Sequence, residues 1–594
     1  MKTKILLYTF IACMSLGLTS CFDAFDDLNP NAVSFDDVAW TTLEDSEAGV
    51  TALYNSLYDD YLLSIEEMSL CSDMGYPGYG RSGSPTNSSL YMYYYHTYSN
   101  SASSVSAKWA ALYTGIFRAN QLIESLEAMA ENGVSTENED WIEQMATARF
   151  FRGLYHFYLH STFNHGEVII FDFVPDNDSY YQSVSSYEKV LSFFREDLQY
   201  AYENLGENES PKDGHVTKYA AAANLGMSYL YEAQYEEAKP YLEDIITNGG
   251  YKLVTDMDLL YTTAGELNDE SIFEICYTLG LTTDLSAYDS NAATNKLGYT
   301  GTTNSFTLPC WITDLYQNEV MNTYDERNIS SIDEDTGEIT YRSMPLRGSA
   351  MIATVQDDET SWYLETPTSN VVSVGVDSAI GYYRKYSNWD IIDNEKNLPD
   401  GARKSGKSIT INRLADVYLM YAECLIETGL TTDALYYMNL IRDRWALRLL
   451  GRSSDNPLFS ADDHIFDGKS YDQETLRTQL REVDRPLEMS VEGHATRFID
   501  LRRWGADYAK ERYQKLSEEV YYMIQRYIAA GDRTRWSVWL KNAEYVESAS
   551  GISYTEMSID YDLAAQNYNA DLHSYWPIPL VEEQNNPSLY NKVE

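Results

Sequence analysis

The stretch Asn224-Leu225-Gly226-Met227-Ser228-Tyr229-Leu230-Tyr231-Glu232-Ala233-Gln234-Tyr235-Glu236-Glu237-Ala238, running on to Leu242, decides the fold. Leu225-Gly226, Tyr229 three residues on, Tyr235, and Ala238 twelve after the glycine have the spacing of a tetratricopeptide helical hairpin. Gly226 and Ala238 are small enough to let two helices approach closely, and Tyr229 and Leu242 are placed to fill the seam between them. A second, looser copy spans Leu414 to Trp445, with Ala422 and Ala434 again twelve apart. One such hairpin cannot bury its apolar face alone, so the copies imply a stacked helical scaffold.

Working outward, apolar residues recur at three and four from Ser106 to Met129, Ile142 to Leu159 and Tyr187 to Leu205, so residues 43 to 247 read as mostly helical. Residues 71 to 105 interrupt that pattern with Gly, Ser, Tyr and Asn and no period, and an interruption that long in a compact domain is usually functional or mobile. Between the two hairpin copies, residues 250 to 410 lose the helical period and gain Thr, Tyr, Asn, Gly and Trp, which predicts short strands and long loops. The expected fold is mainly α. A tetratricopeptide-like helical scaffold, at about 43–250 and 410–510, carries an irregular loop and short-strand elaboration at about 250–410 that forms the ligand face.

At the N-terminus, Lys2 and Lys4 precede a short apolar run ending Leu18-Thr19-Ser20-Cys21. A charged region, an apolar core too short to span a bilayer, and small residues before a cysteine are a lipoprotein export signal. The expected organisation is residues 1–20 as signal peptide, Cys21 as the lipidated first mature residue with an acidic spacer to residue 42, and one domain over 43–594. Acyl chains on Cys21 would hold the protein to a membrane by burying methylenes. The chain carries 91 acidic and 43 basic side chains, a net charge of -48. Such a surface repels phosphate backbones and anionic headgroups, which excludes nucleic-acid binding and leaves neutral or cationic ligands. With 44% hydrophobic residues and 52 tyrosines, it has both a core and aromatic side chains to spare. Cys13 and Cys21 belong to the signal and anchor, and Cys71, Cys276, Cys310 and Cys424 lie too far apart to read as a disulfide framework. Cys276 and Cys424 sit in apolar stretches as small buried hydrophobes.

Four motifs invite a chemistry that their context denies. Gly401-Ala402-Arg403-Lys404-Ser405-Gly406-Lys407-Ser408 matches a phosphate-binding loop letter for letter, but a polar tract precedes it and Ile409-Thr410-Ile411 follows where a helix is needed. Gly78-Tyr79-Gly80-Arg81-Ser82-Gly83 fits a dinucleotide fingerprint, yet Pro85 and polar residues replace its helix. His156 and His160 have zinc-protease spacing with His165 nearby, but Phe157 stands where the general base belongs, so they read as packing histidines. Asp333-Glu334-Asp335-Thr336-Gly337-Glu338 reads as a solvated hairpin turn, since its spacing does not complete a calcium loop. No nucleophile elbow is present. The sequence calls for no cofactor, no metal and no catalytic residue.

Several separated blocks together resemble the SusD/RagB outer-membrane lipoproteins. They are the cysteine signal with Asn29-Pro30, Ala148-Arg149-Phe150-Phe151-Arg152-Gly153-Leu154-Tyr155 running to Phe163-Asn164-His165-Gly166, and the helix from Asn412 to Glu423. Asp484-Arg485-Pro486-Leu487-Glu488-Met489-Ser490-Val491-Glu492-Gly493, continuing through Arg497-Phe498-Ile499-Asp500-Leu501-Arg502-Arg503-Trp504-Gly505, is the most specific block. Trp576-Pro577-Ile578-Pro579 with Asn586-Pro587-Ser588-Leu589 completes the set. Pro486 departs from the usual paired arginines and predicts a kink or a helix start. The charges among Phe498, Leu501 and Trp504 read as paired, partly buried salt bridges, so Asp500 and Arg502 are not taken as catalytic.

The resemblance implies a lipid-anchored, non-catalytic binder on the outer face of the outer membrane. It would capture neutral oligo- or polysaccharide and pass it to a SusC-like TonB-dependent transporter. A peptide-binding lipoprotein of the same architecture is the alternative, and a lipid-anchored glycoside hydrolase comes last, because its carboxylate pair is defined only in space. A sugar site needs flat aromatic faces and a few planar hydrogen-bonding groups. Two segments offer that mixture: Asp73, Tyr76, Tyr79, Arg81, Asn87 and Tyr91, and then Tyr288, Asn291, Tyr299, Cys310 and Trp311. They are expected to converge, with Trp362, Arg384 and Trp389 as further candidates from the same irregular region.

Overall fold

The computed structural model describes residues 40–591 apart from 78–89, 177–178, 209–211, 278–305, 372–379, 394–405, 529–532, 541–553 and 557–559. Six helices build the first part of the scaffold: α1 Leu43–Ser56, α2 Ser103–Glu131, α3 Glu139–Thr162, α4 Tyr187–Asn204, α5 Lys218–Tyr231 and α6 Tyr235–Asn248. Local chemistry sets their starts. The Thr42 hydroxyl accepts the Asp45 amide at 3.1 Å, and the Asn138 side chain accepts those of Asp140 and Trp141 at 2.8 and 3.2 Å. Acidic residues in those first turns oppose the positive helix end.

Each helix packs on the next from α1 to α6. The α5–α6 hairpin is the one read from Leu225 to Ala238, and its glycine has the foreseen job. A Cβ at Gly226 would lie 2.7 Å from Leu242 Cδ2, so any larger residue would push α6 away. Ala220, Ala221, Ala222, Ala223 and Ala238 are all buried, and Tyr229 stacks on Tyr241 at 5.7 Å. The second copy forms α8 Leu414–Glu427 and α9 Thr431–Arg444. Although some 165 residues separate the copies, α6 packs directly against α8. The middle region is therefore an insertion between two neighbouring repeats.

Its ends are pinned together. Strand β2, Ser271–Ile275, pairs antiparallel with β8, Ile409–Arg413, setting Ser271 opposite Arg413 and Ile275 opposite Ile409. Between them lie β4 Ile329–Ile332 paired with β5 Ile339–Tyr341, β6 Ile352–Ala353 paired with β7 Tyr382–Tyr383, and β3 Phe306–Thr307, whose partner β1 Tyr76–Pro77 comes from the N-terminal half. Asp333 to Glu338 is the exposed turn of the β4–β5 hairpin, where Asp333 accepts the Asp335 and Thr336 amides and Gly337 takes φ +72°. Helices also stand where loops and strands were expected: Leu346–Met351, Thr368–Val371 and the longer Cys310–Asn318, α7, with Cys310, Trp311, Ile312 and Tyr316 on its buried side.

The C-terminal part adds α10 Thr496–Arg503, α11 Tyr508–Glu518 and a three-stranded sheet of β9 Tyr521–Ile528, β10 Arg533–Leu540 and β11 Tyr554–Glu556, in the order β10-β9-β11. No periodicity reading anticipated this sheet. The chain then returns to the scaffold, where the Trp576 amide donates to the Thr162 carbonyl at 2.7 Å and the Asn164 amide donates to the Trp576 carbonyl at 2.8 Å. Two of the sequence blocks, Phe163 to Gly166 and Trp576 to Pro579, thus meet in space. No helix among the described residues is long and apolar enough to cross a membrane.

The four discounted motifs keep structural roles where they can be seen. Lys407 is buried and donates to the Tyr261 and Ser387 carbonyls at 2.8 Å and to Asp390 at 2.7 Å, and a strand rather than a helix follows it. Gly78–Gly83, and residues 401–405, lie outside the described residues. His156 and His160 are interior. Burial pushes their imidazoles down to about 4 and about 3, so they pack as neutral rings. Among the described residues, Cys71, Cys276, Cys310 and Cys424 are unpaired in disulfides, and no group of three or more His, Cys, Asp or Glu is arranged to hold a metal ion.

Candidate functional site

The described ends of two segments chosen from composition, 73–77 and 306–311, meet. Tyr76 pairs with Thr307 across β1 and β3, and Trp311 Nε1 donates to the Asp73 carbonyl at 2.7 Å. A third segment joins them: the Tyr383 hydroxyl donates to the Met74 carbonyl at 2.8 Å, the Leu308 amide donates to Gly381 at 3.3 Å, and the Phe306 and Tyr383 rings lie 5.9 Å apart. Residues 71–77, 306–311 and 380–389 therefore form one confluence at the edge of the inserted region.

Asp73 holds the root of that confluence. Its carboxylate accepts Arg497 Nε and Nη2 at 2.7 and 2.8 Å and Arg512 Nε at 2.8 Å, while the Arg512 guanidinium lies 4.3 Å over the Trp311 ring. Burial raises this carboxyl, but the two guanidinium groups overcome it and hold Asp73 down to about 2. Asp73 is fully buried and its carboxylate is committed to three guanidinium donors, so it is placed as a strut. Its role is to clamp the aromatic segment to α10 and α11.

A second buried network fixes the other flank of the insertion. Arg413 at the end of β8 donates to Glu270 at 2.7 Å, Glu488 at 2.8 Å and Glu492 at 2.7 Å. Arg444 reaches Glu270 at 2.8 Å and also Glu488, Lys385 pairs with Glu492, and Trp445 Nε1 donates to Glu488 at 2.7 Å. Beside it, Arg485 bridges Asp416 at 2.5 Å and Asp500 at 2.7 Å, and Arg503 joins Asp500 to Glu423. These are the salt bridges read from the block around Phe498 and Trp504, and they are more deeply buried than expected. Pro486 fits because it stands in the first turn of the short helix Arg485–Met489, where an amide donor is dispensable.

The candidates divide by exposure. Cys21, Tyr79, Arg81, Asn87, Tyr288, Asn291 and Tyr299 lie outside the described residues. Asp73, Cys310, Trp311, Trp362 and Arg384 are interior, and the expectation that they face a ligand is corrected by their burial and partners. The Cys310 amide donates to Asp560 at 2.9 Å. Arg384 donates to the Ile352 and Ser361 carbonyls at 3.0 and 2.6 Å and to Thr368 at 2.6 Å, with Asp357 at 3.5 Å. Burial pushes Arg384 down to about 10 against the pull of Asp357. Tyr76, Tyr91 and Trp389 remain half-buried aromatic surface.

Around these three the structure adds rings that composition did not single out. Tyr91 stacks on Tyr95 at 5.4 Å, Tyr76 meets Tyr94 edge-on at 5.3 Å, and Tyr94 meets Tyr561 at 5.1 Å. The spacing of Tyr91 and Tyr95, one helical turn, was the available signal. On the far side, Trp389 stacks on Trp362 at 6.4 Å with Arg384 4.8 Å from its ring, and Leu364 beside Trp389 is 57% exposed. A cavity of about 30 Å³ between Tyr261, Glu266, Glu274, Lys407 and Arg413 has room for about two waters, far less than a sugar ring needs.

Comparison with known proteins agrees with this architecture. A family model described as SusD family matches residues 269–593, and one described as starch-binding associating with outer membrane matches residues 29–230. A SusD-like protein of Bacteroides ovatus is 27% identical over 472 residues, 75% of this chain and 76% of that protein. A SusD superfamily crystal structure from Bacteroides vulgatus superposes with a TM-score of 0.64 at 21% identity, covering 93% of this chain and 98% of the other. A structure determined with xylogluco-oligosaccharide gives a TM-score of 0.61 at 18% identity, covering 91% and 98%. Since the family model spans more than half of the residues, the chain belongs to the SusD family.

Proposed function

We propose that this protein is a glycan-binding lipoprotein of the cell surface. It captures oligo- or polysaccharide on the aromatic surface around Tyr76, Tyr91, Tyr95 and Trp389 and delivers it to a SusC-like TonB-dependent transporter, held to the outer membrane through Cys21. The observation that carries this reading is the confluence itself: rigid buried ion pairs on one side and half-buried tyrosines on the other, in a member of a family whose N-terminal model is described as starch-binding. Sugar rings offer apolar C–H faces and hydroxyl edges, which aromatic platforms and planar hydrogen-bonding groups match. A net charge of -48 does not oppose a neutral polymer. The protein acts by binding and carries out no reaction.

Isothermal titration of the mature chain against α-glucan, laminarin, xyloglucan, xylan and mannan tests the proposal. Saturable heat with one class and no released reducing ends supports it. Silence across the panel with binding to peptides moves the function to the peptide alternative, and product formation would make the protein a hydrolase.

A further inference from the structure

The rings around Tyr91 and Trp389 supply one half of a sugar site, flat faces for the apolar side of a pyranose. The other half is a planar group for the hydroxyl edge. Three charged side chains near the rings are already engaged: Asp73 and Arg384 are struts, and Asp390, next to Trp389, accepts the Thr263 amide at 2.8 Å and Lys407 at 2.7 Å. A different element reaches the stacked rings of Tyr91 and Tyr95 from the far end of the chain. The short helix Asp562–Asn567 ends beside them, and Asn567 Nδ2 donates to the Tyr95 carbonyl at 2.9 Å.

That meeting is held from behind. The Tyr94 hydroxyl accepts the Tyr561 amide at 2.7 Å, the Tyr561 hydroxyl donates to the Gly75 carbonyl at 3.2 Å, and Tyr513 packs in the interior against Tyr561, Tyr568 and His96. Asn567 itself is exposed. A carboxamide has two N–H donors and an oxygen with two lone pairs. One donor goes to Tyr95, and among the described residues the second donor and Oδ1 have no protein partner. Leu563, one helical turn back on the same face, is 43% exposed. An amide fixed at the rim of a tyrosine stack thus meets solvent with a donor and an acceptor to spare, beside an apolar side chain.

We infer that Asn567 is a specificity-determining residue of the glycan site. A pyranose ring lies against Tyr91 and Tyr95, and two of its adjacent hydroxyls engage the Asn567 carboxamide, one accepting from Nδ2 and the other donating to Oδ1, while Leu563 covers the next sugar unit. This rests on the glycan-binding reading and narrows it to polymers whose units keep a free pair of neighbouring hydroxyls. Asp562 and Asp571, exposed on either side of Asn567 in the chain, repel a carboxylated or sulfated unit, so the occupant is neutral.

The test titrates the mature full-length chain with oligosaccharides of α-glucan, laminarin, xyloglucan, xylan and mannan, each intact and with single hydroxyls removed, and with polygalacturonate as the acidic comparison. Asn567→Ala should weaken binding of the class that gives saturable heat about fivefold, the worth of roughly one neutral hydrogen bond. It should melt within about 2 °C of wild type, because the position is exposed. Removing one hydroxyl of the recognised pair should cost wild type about the same fivefold and cost Asn567→Ala nothing, which closes a double-mutant cycle between residue and hydroxyl. Should Asn567→Ala fail to fold, Asn567→Ser, which keeps a polar group beside the Tyr95 carbonyl, replaces it in the same cycle. Gln566→Ala, whose wild-type side chain donates to Asp562 at 2.9 Å, should leave binding unchanged.

Binding by Asn567→Ala within about twofold of wild type overturns the role of Asn567 and leaves the glycan reading intact. So does a weakened variant that responds to every hydroxyl removal as wild type does, since Asn567 would then only tie the helix to Tyr95. Tighter binding of polygalacturonate than of every neutral oligosaccharide also overturns the inference, because the occupant would be acidic. Silence toward every ligand removes both the inference and the glycan reading.

Discussion

The α5–α6 hairpin and the inserted region that follows it are held in place by different physics. In the hairpin, small residues such as Gly226 and Ala238 bring two backbones together and Leu242 fills the seam, so the stabilising quantity is apolar contact. The insertion has no apolar period of its own. Its strands are two to five residues long, and buried ion pairs tie it to the rest of the chain: Arg413 reaches Glu488 and Glu492, Lys385 reaches Glu492, Arg444 of α9 reaches back to Glu270, and Asp73 of the adjoining aromatic segment pairs with Arg497. The comparison teaches that a segment without a helical period can still bury apolar residues in the common core, here Leu308, Ile312, Tyr316, Met351 and Ile352, while buried ion pairs tie it to its neighbours. Such pairs cost about as much to desolvate as they return, but they are expensive to break singly.

The largest expected effect follows from breaking one of them. Arg413→Ala would leave Glu270, Glu488 and Glu492 short of a partner in the interior, and a loss of about 3–5 kcal/mol is expected in chemical denaturation. A loss below about 1 kcal/mol would mean that the insertion is not held by this network.

Asp73→Asn is the next most severe change, about 3 kcal/mol, because two buried guanidinium groups lose their counter-charge. The same residue gives a pH signature. Its carboxyl in the folded protein lies at about 2, below the unfolded value of about 4, so its contribution is complete above pH 4 and is lost as pH falls through 2. Acid titration of stability should be steeper in wild type than in Asp73→Asn over that window.

On the apolar side of the comparison, Gly226→Val should cost about 1–3 kcal/mol by forcing α6 off α5, since Leu242 already occupies the space. Thermal unfolding of this variant would show whether the seam can repack.

Smallest in stability and largest in function are changes to the open rings. Tyr91→Ala and Trp389→Ala should stay within about 1 kcal/mol of wild-type stability and weaken glycan binding about tenfold, with an aromatic replacement restoring much of it. Equal weakening of binding by Trp311→Phe, a buried change, would shift the site inward from the surface described here.

Lys108 offers a finer test of how buried charge is managed within the scaffold itself. Burial pushes its ammonium down to about 7, against the pull of Glu67 and Asp59, and its Nζ donates to the Leu62 carbonyl at 2.5 Å. The unfolded chain binds a proton that the folded one does not between pH 7 and about 10, so stability should rise with pH across that interval. Lys108→Met should flatten the rise.

Much of the scaffold was legible because helical periodicity and the small-residue spacing of a repeat are local signals. Residues 216–246 and 414–445 announce their hairpins without reference to anything distant, and the turn at Asp333 to Gly337 needs only its own residues. The candidate surface was legible as segments and not as side chains. Composition brought 73–91 and 288–311 forward together, but the same aromatic and polar residue types serve as platforms and as interior struts. Trp311 and Tyr91 cannot be told apart by identity, and only the Asp73 carbonyl on one and the Tyr95 ring beside the other distinguish them.

By itself, the sequence determined a helical repeat scaffold with a long irregular insertion, an acidic surface and no metal-binding or nucleophile motif, because periodicity, composition and spacing act over a few residues at a time. Only the tertiary structure decided that the repeats on either side of the insertion touch, that Asp73 and Arg384 are struts, and that Tyr76 lies opposite Thr307 across β1 and β3. Those facts depend on strand register and on the pairing of charges hundreds of residues apart, such as Asp73 with Arg497, and a buried ion pair has no local sequence signature because its two halves need only meet in space.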